Sequence, residues 1–196
     1  MPKIGFVVRT DVGLRLAGVQ AAGNGFNGNF IAAMSTYGLD PSIIGWPSAG
    51  IDFPTSAIDI PPAKPYNFFY GDVNPDLMEE STAFTYPMMS VDVATSSHAP
   101  GSQSYVKGAT FAGPVVAVIR FHLSWKSEDV PRNLAAWGDA VEDAMFGTIT
   151  NPNYQAWTFN NVFGGPLMLT RGPITGDGEG LRRSYLFQGT WDMVVA

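Results

Sequence analysis

The chain contains no cysteine, which excludes disulfides and thiolate metal sites and fits a reducing compartment. It contains only two histidines. His98 falls in a polar stretch, where solvation is the expected state, and His122 falls on the more polar side of an alternating run, as a surface or interface residue. Two histidines without cysteine or neighbouring paired acids do not make a metal site. Charge is scarce too. Asp, Glu, Lys and Arg make up 14% of the 196 residues, so much of the surface has to be neutral. The net charge is −6, and Arg182–Arg183 is the one adjacent basic pair. Phosphate contacts dominate nucleic-acid affinity, so this balance argues against tight DNA binding and suits a wall that DNA slides past. No run of about twenty apolar residues could span a bilayer, and no charged-then-apolar leader opens the chain. A soluble, unsecreted protein with no membrane partner is expected.

Catalytic motifs are missing as well. There is no G-x-x-x-x-G-K-[ST], no G-x-S-x-G and no H-E-x-x-H. Glu79–Glu80, Glu128–Asp129 and Glu142–Asp143 sit where helix ends or polar helix faces tolerate acids, and Asp177 and Glu179 flank Gly178 in a loop. Gly23-Asn-Gly-Phe-Asn-Gly28 is formally G-x-G-x-x-G, but the segment before it reads as helix, whereas the dinucleotide fingerprint needs a buried strand there. The residues therefore nominate no catalytic group, no cofactor site and no metal ligand, and the chain reads as a non-enzyme.

What is present is a scaffold. Tyr86–Val93 alternates, with Met89, Val91 and Val93 on one face and Met88, Ser90 and Asp92 on the other. Val115–Trp125 alternates more regularly, with Val115, Ala117, Ile119, Phe121, Leu123 and Trp125 against Val116, Val118, Arg120, His122 and Ser124. A helix follows over Arg132–Phe146: Leu134, Trp137, Val141, Ala144 and Met145 share one side, while Asn133, Asp139, Glu142 and Asp143 point elsewhere. Glu128, Asp129 and Pro131 suit its start and Gly147 its stop. Leu134 and Trp137 are the expected lid on the apolar strand face. Arg183–Val195 alternates as a long final strand, and Pro166–Arg171 reads as another, with Gly172–Gly180 a loop between them. Thr148–Asn161 reads as irregular, with aromatic anchors.

The N-terminal half is less regular. Met1–Thr10 is a short strand or the beginning of a helix, and Asp11 is a plausible N-cap for a helix over Val12–Ala22. A second helix is expected over Phe26–Tyr37, stopped by Gly38. Residues 41–75 carry seven prolines among many aromatic and branched residues, which forbids long helices and central strands yet is too apolar for a solvated linker. This segment is an extended arm over a neighbour or a loop folded back on its own core, with Ile58–Ile60 and Tyr66–Tyr70 as candidate edge strands. Asn74–Glu80 looks like a helix start, and Thr95–Ala112 is a long loop of the kind that carries contacts. The whole reads as one domain, 1–196, of α+β class: a mostly antiparallel sheet with helices packed on one face.

The run Asn74-Pro-Asp-Leu-Met-Glu-Glu-Ser-Thr-Ala-Phe-Thr-Tyr-Pro-Met-Met-Ser-Val-Asp-Val resembles the lead-in to the first core strand of tailed-bacteriophage tail terminator (tail completion) proteins, in which a Pro commonly opens that strand. The strand at Gly113–Trp125, the capped helix at Arg132–Phe146 and the last strand at Arg183–Val195 continue the likeness, which spans roughly Asn74 to Ala196. It implies a small α+β virion subunit, assembled in the host cytoplasm. Such subunits form a ring, commonly six-fold, that caps the tail tube, joins it to the head connector and leaves a channel for DNA. The implied partners are further copies of the chain, the tail tube protein and the connector or neck protein. A connector or neck subunit of the same fold is the nearest alternative. A glycan- or small-ligand-binding module using Trp46, Tyr154 or Trp157 is the alternative from another class.

Overall fold

A computed structural model describes residues 4–18, 25–42, 50–54, 66–71, 83–96, 109–124, 130–148, 151–152, 157–159, 162–177 and 180–194. The helices in it are α1 (Ile4–Ala17), α2 (Phe26–Thr36) and α3 (Val130–Phe146). The strands are β1 (Tyr66–Tyr70), β2 (Phe84–Ser96), β3 (Ala109–Ser124), β4 (Gly147–Thr148), β5 (Asn151–Pro152), β6 (Trp157–Phe159), β7 (Val162–Asp177) and β8 (Gly180–Val194). Six strands form one sheet in the order β1-β2-β3-β8-β7-β6, and β4 and β5 form a separate short ladder directly after α3. β1 runs parallel to β2, and the other four pairings in the large sheet are antiparallel.

The two central strands, β3 and β8, pair from Ala109↔Val194 to Ser124↔Gly180 although α3 and the β7 hairpin separate them in sequence. On the β2–β3 ladder the register sets Met89 opposite Phe121, Val91 opposite Ile119 and Val93 opposite Ala117. These residues, with Phe68 of β1, make the sheet side of the core. The helices pack on this one face, and the fold is α+β. α1 gives Val12 and Leu16, α2 gives Phe26, Phe30 and Met34, and α3 gives Leu134, Trp137, Val141 and Met145. The Trp137 ring stacks on Phe121 and meets Phe26 and Phe30 at centroid distances of 4.8 and 5.0 Å. Offset and edge contacts of this kind add to area burial, so the aromatic residues concentrate stability around Trp137.

The helices differ in how far local sequence accounts for them. α2 begins after Gly25, whose carbonyl accepts from the Asn29 amide, and ends in a Schellman motif. Leu39 N donates to Met34 O and Gly38 N to Ser35 O, with Gly38 at φ +67°, the backbone conformation in which glycine carries no Cβ penalty. α3 keeps the expected apolar side, but Asn133 is fully buried with it instead of pointing away. α1 departs further from expectation. It starts at Ile4 and stops at Ala17, and Asp11 lies inside it, not at its N-cap. Every residue from Thr10 to Leu16 is buried, so enclosure overrides the weak propensity of a stretch that contains Asp11 and Gly13.

The strands run longer than the alternation alone predicts. β7 and β8 absorb most of the expected Gly172–Gly180 loop, and Trp157–Phe159 with the β4–β5 ladder gives short strands where irregular chain was expected. Prolines fall where a ladder tolerates them. The β7–β8 register shifts between Gly165 and Met168 and again between Arg171 and Ile174, so Pro166 and Pro173 sit in bulges. Pro87 precedes the first β2–β3 pair, Met88↔His122, and its peptide bond with Tyr86 is cis.

The described part of the proline-rich segment folds back on its own chain. Ile51 is buried in the core, and Phe53 packs on Phe26 and Phe68. Two asparagines hold it there. Asn27 Nδ2 donates to Ile51 O at 2.8 Å and Asn27 Oδ1 accepts from Ile51 N at 2.9 Å. Asn67 Nδ2 donates to Gly50 O at 2.9 Å and Asn67 Oδ1 accepts from Asp52 N at 2.8 Å. Tyr66–Tyr70 is the expected edge strand, whereas Ile58–Ile60 and Asn74–Glu80 lie outside the described residues.

Candidate functional site

The side chains with the most chemistry meet on the sheet face opposite the helices. The β2–β3 register places Met88 opposite His122, Ser90 opposite Arg120 and Asp92 opposite Val118. Ser90 Oγ lies 3.4 Å from His122 Nε2, and the Phe69 ring stands 6.2 Å from the imidazole. His122 is 2% exposed and Ser90 0%. The expectation of a surface or interface position for His122 is therefore corrected: alternation puts it on the second face of the sheet, and within this chain its side chain is buried there.

Serine beside histidine is the beginning of a nucleophile–base pair, which also needs a group to orient the imidazole and a path for substrate. Asp92 cannot be that group. It lies four residues along β2 from Met88, the partner of His122, a separation of roughly 13 Å at ordinary strand rise. Ser90 has no exposure through which an acyl group could approach. The arrangement satisfies buried polar groups and pins the β2–β3 register.

Among the described residues, α2 and α3 present open or half-open surfaces. α2 turns Gly28, Ile31, Ala32, Ser35 and Thr36 outward, and the helix contains no charged residue. Ile31, at 42% exposure, is the large apolar side chain left open among the described residues. α3 carries a different surface, a half-buried strip of Asp139, Glu142 and Asp143. Partial burial, with the charges of Asp139 and Glu142, holds the Asp143 carboxyl above the ordinary carboxylate range. One neutral helix face and one acidic helix face on the same subunit are the kind of unlike patches that a head-to-tail contact joins.

The remaining sequence candidates are dispersed. Gly25 and Gly28 open α2, and the described element before them is α1, a helix where the dinucleotide fingerprint needs a strand. Glu142 and Asp143 are on α3, Asp177 ends β7, Trp157 opens β6, and Arg182 and Arg183 pair with His122 and Phe121 on the sheet. His98, Trp46, Tyr154, Glu179, Glu79–Glu80 and Glu128–Asp129 lie outside the described residues, as does 97–108, the middle of the expected contact loop. β2 and β3 take up the ends of that loop. Among the described residues no group of three His, Cys, Asp or Glu side chains could hold a metal ion, and no helix is long and apolar enough to cross a membrane.

Two features escaped the sequence reading. Arg15 is buried and donates Nη2 to Met145 O at 3.3 Å, linking α1 to the end of α3. Asp11, one turn before it, is fully buried, and neither of its oxygens has a hydrogen-bond partner. The available signal was an acid and a base four residues apart within an apolar run. No protein-family model matches the chain, and no curated protein matches it.

Proposed function

We propose that the chain is a structural virion subunit of the tail-terminator kind, which forms a ring that caps the tail tube and joins it to the head connector. The observation that carries this reading is the order and pairing of β2, β3, α3 and β8. β2, β3 and β8 lie side by side in one sheet and α3 packs on its helix-covered face, the element order that the resemblance over Asn74–Ala196 implies. Two further features support it. Charge is scarce, and the unlike surfaces of α2 and α3 suit heterologous contacts between neighbours in a ring. A net charge of −6 suits a lumen that DNA passes without specific binding. In this reading the ring needs no cofactor and performs no catalysis.

The test is native mass measurement together with negative-stain imaging, alone and with tail tubes. A closed ring with a central hole that stops tube growth supports the reading. A monomer that neither assembles on tubes nor caps them overturns it, and a ring that binds the connector but not tubes assigns the chain to the neck. Deleting residues 97–108, the part of the expected contact loop that β2 and β3 do not take up, is expected to abolish ring closure while leaving the subunit folded. Intact capping rings from that deletion would remove the loop from the interface.

A further inference from the structure

Asp11 lies in the middle of α1 with no exposure, and neither carboxyl oxygen accepts or donates a hydrogen bond. An ionised carboxylate in that position loses its hydration and gains no bond in return. Its charged neighbours on α1 are engaged elsewhere. The Arg9 guanidinium lies 5.5 Å over the Tyr70 ring, and Arg15 reaches Met145 O. On β1, β2 and β3 the described side chains turned to the helices are apolar apart from Tyr70, whereas Asp92, Arg120 and His122 are on the opposite face. Further along the same face of the sheet, Arg183 and Tyr185 of β8 pair with Phe121 and Ile119, and Arg171 of β7 pairs with Tyr185. On α3 the charged groups, Arg132, Asp139, Glu142 and Asp143, lie on its exposed and half-buried side, and α2 carries no charge.

We propose that Asp11 is a pH-sensitive latch on the N-terminal helix: α1 seats against β2, β3 and α3 while the carboxyl is neutral, and ionisation loosens that seat. Burial pushes the carboxyl up from 3.8 to about 8, and the same burial lowers Arg15. A carboxyl raised in the folded state gives its full stabilisation below its ordinary value. That stabilisation is lost as pH rises from there to about 8. Within this window one proton is released on unseating, so the seating equilibrium constant falls about tenfold per pH unit. The latch stands independently of the ring reading.

Amide hydrogen exchange of wild type and Asp11→Asn, compared at equal pH between about pH 5 and about pH 9, tests it. The ratio of α1 protection, variant over wild type, is expected to grow about tenfold per pH unit and to level off near pH 8. A ratio that does not change with pH overturns the latch. So does a ratio that grows equally in every strand, which would show a global effect and no latch on α1. Should Asp11→Asn not fold, infrared spectra of Asp143→Asn decide the matter. A protonated carboxyl band at about pH 6.5 that disappears by about pH 9 supports the latch, and its absence at about pH 6.5 overturns it.

Discussion

The Tyr37 hydroxyl donates to Asp139 Oδ2 at 2.8 Å, and Arg132 Nη1 of the same helix donates to the Tyr37 carbonyl at 3.2 Å. Residue 37, at the C-cap of α2, is thus gripped by two residues on one face of α3, two turns apart. A charge-assisted bond in a half-buried setting is worth more than a surface ion pair. Tyr37→Phe is expected to lower stability by about 1–2 kcal/mol. Urea unfolding checks it: the midpoint should drop with the slope unchanged.

Trp137 is the larger dependency. Its ring is fully buried among Phe26, Phe30 and Phe121. Trp137→Ala is expected to destabilise by about 3–5 kcal/mol, a large share of what a domain of this size has. Circular dichroism melts would show it, and a change below about 1 kcal/mol would mean that the aromatic cluster is not the centre of the core.

Gly50 and Gly38 separate backbone strain from steric overlap. Both have positive φ, +73° and +67°. A Cβ on Gly38 meets nothing within 4 Å, so Gly38→Ala carries backbone strain alone, about 1 kcal/mol. A Cβ on Gly50 would stand 2.6 Å from Asn27 Cγ and 2.7 Å from Nδ2, displacing the amide that holds Ile51. Gly50→Ala is expected to lose about 2–3 kcal/mol, and equal melting temperatures for the two variants would contradict the clamp.

Asp143 tests the acidic strip. Its carboxyl is raised by partial burial and by the charges of Asp139 and Glu142, so its contribution diminishes as pH rises above the ordinary carboxylate range. Because the group is only partly buried, solvent screens much of the effect. Asp143→Asn is expected to gain a few tenths of a kcal/mol at neutral pH and nothing in acid. Melting curves at both pH values, at low and high salt, check the sign.

How much of this was legible depended on regular repetition. Val115–Trp125 alternates so strictly that Ala117, Ile119 and Phe121 are the residues it gives to the helix-facing core, although Val118 and His122 on the other face are buried as well. Leu134, Trp137, Val141 and Met145 follow because 3.6-residue spacing leaves one face for the core. His122 and Asn133 were misplaced for one shared reason. Periodicity says only that a polar side chain turns away from the apolar face, and around His122 and Asn133 the second face of the sheet and the flank of α3 are closed as well. The absence of catalytic motifs could be read directly, whereas the Ser90–His122 contact needed the β2–β3 register, which joins residues 32 positions apart.

The sequence by itself determined which segments become helix or strand wherever apolar periodicity was strong, and where α2 stops, because a glycine at positive φ is a local requirement. Only the tertiary structure decided that β8 returns beside β3, that residues 50–54 fold onto their own core, and that Asp11 sits inside a helix without a partner. Those outcomes depend on contacts between distant residues. Burial there outweighs propensity, and no short stretch of sequence records which surface will cover it.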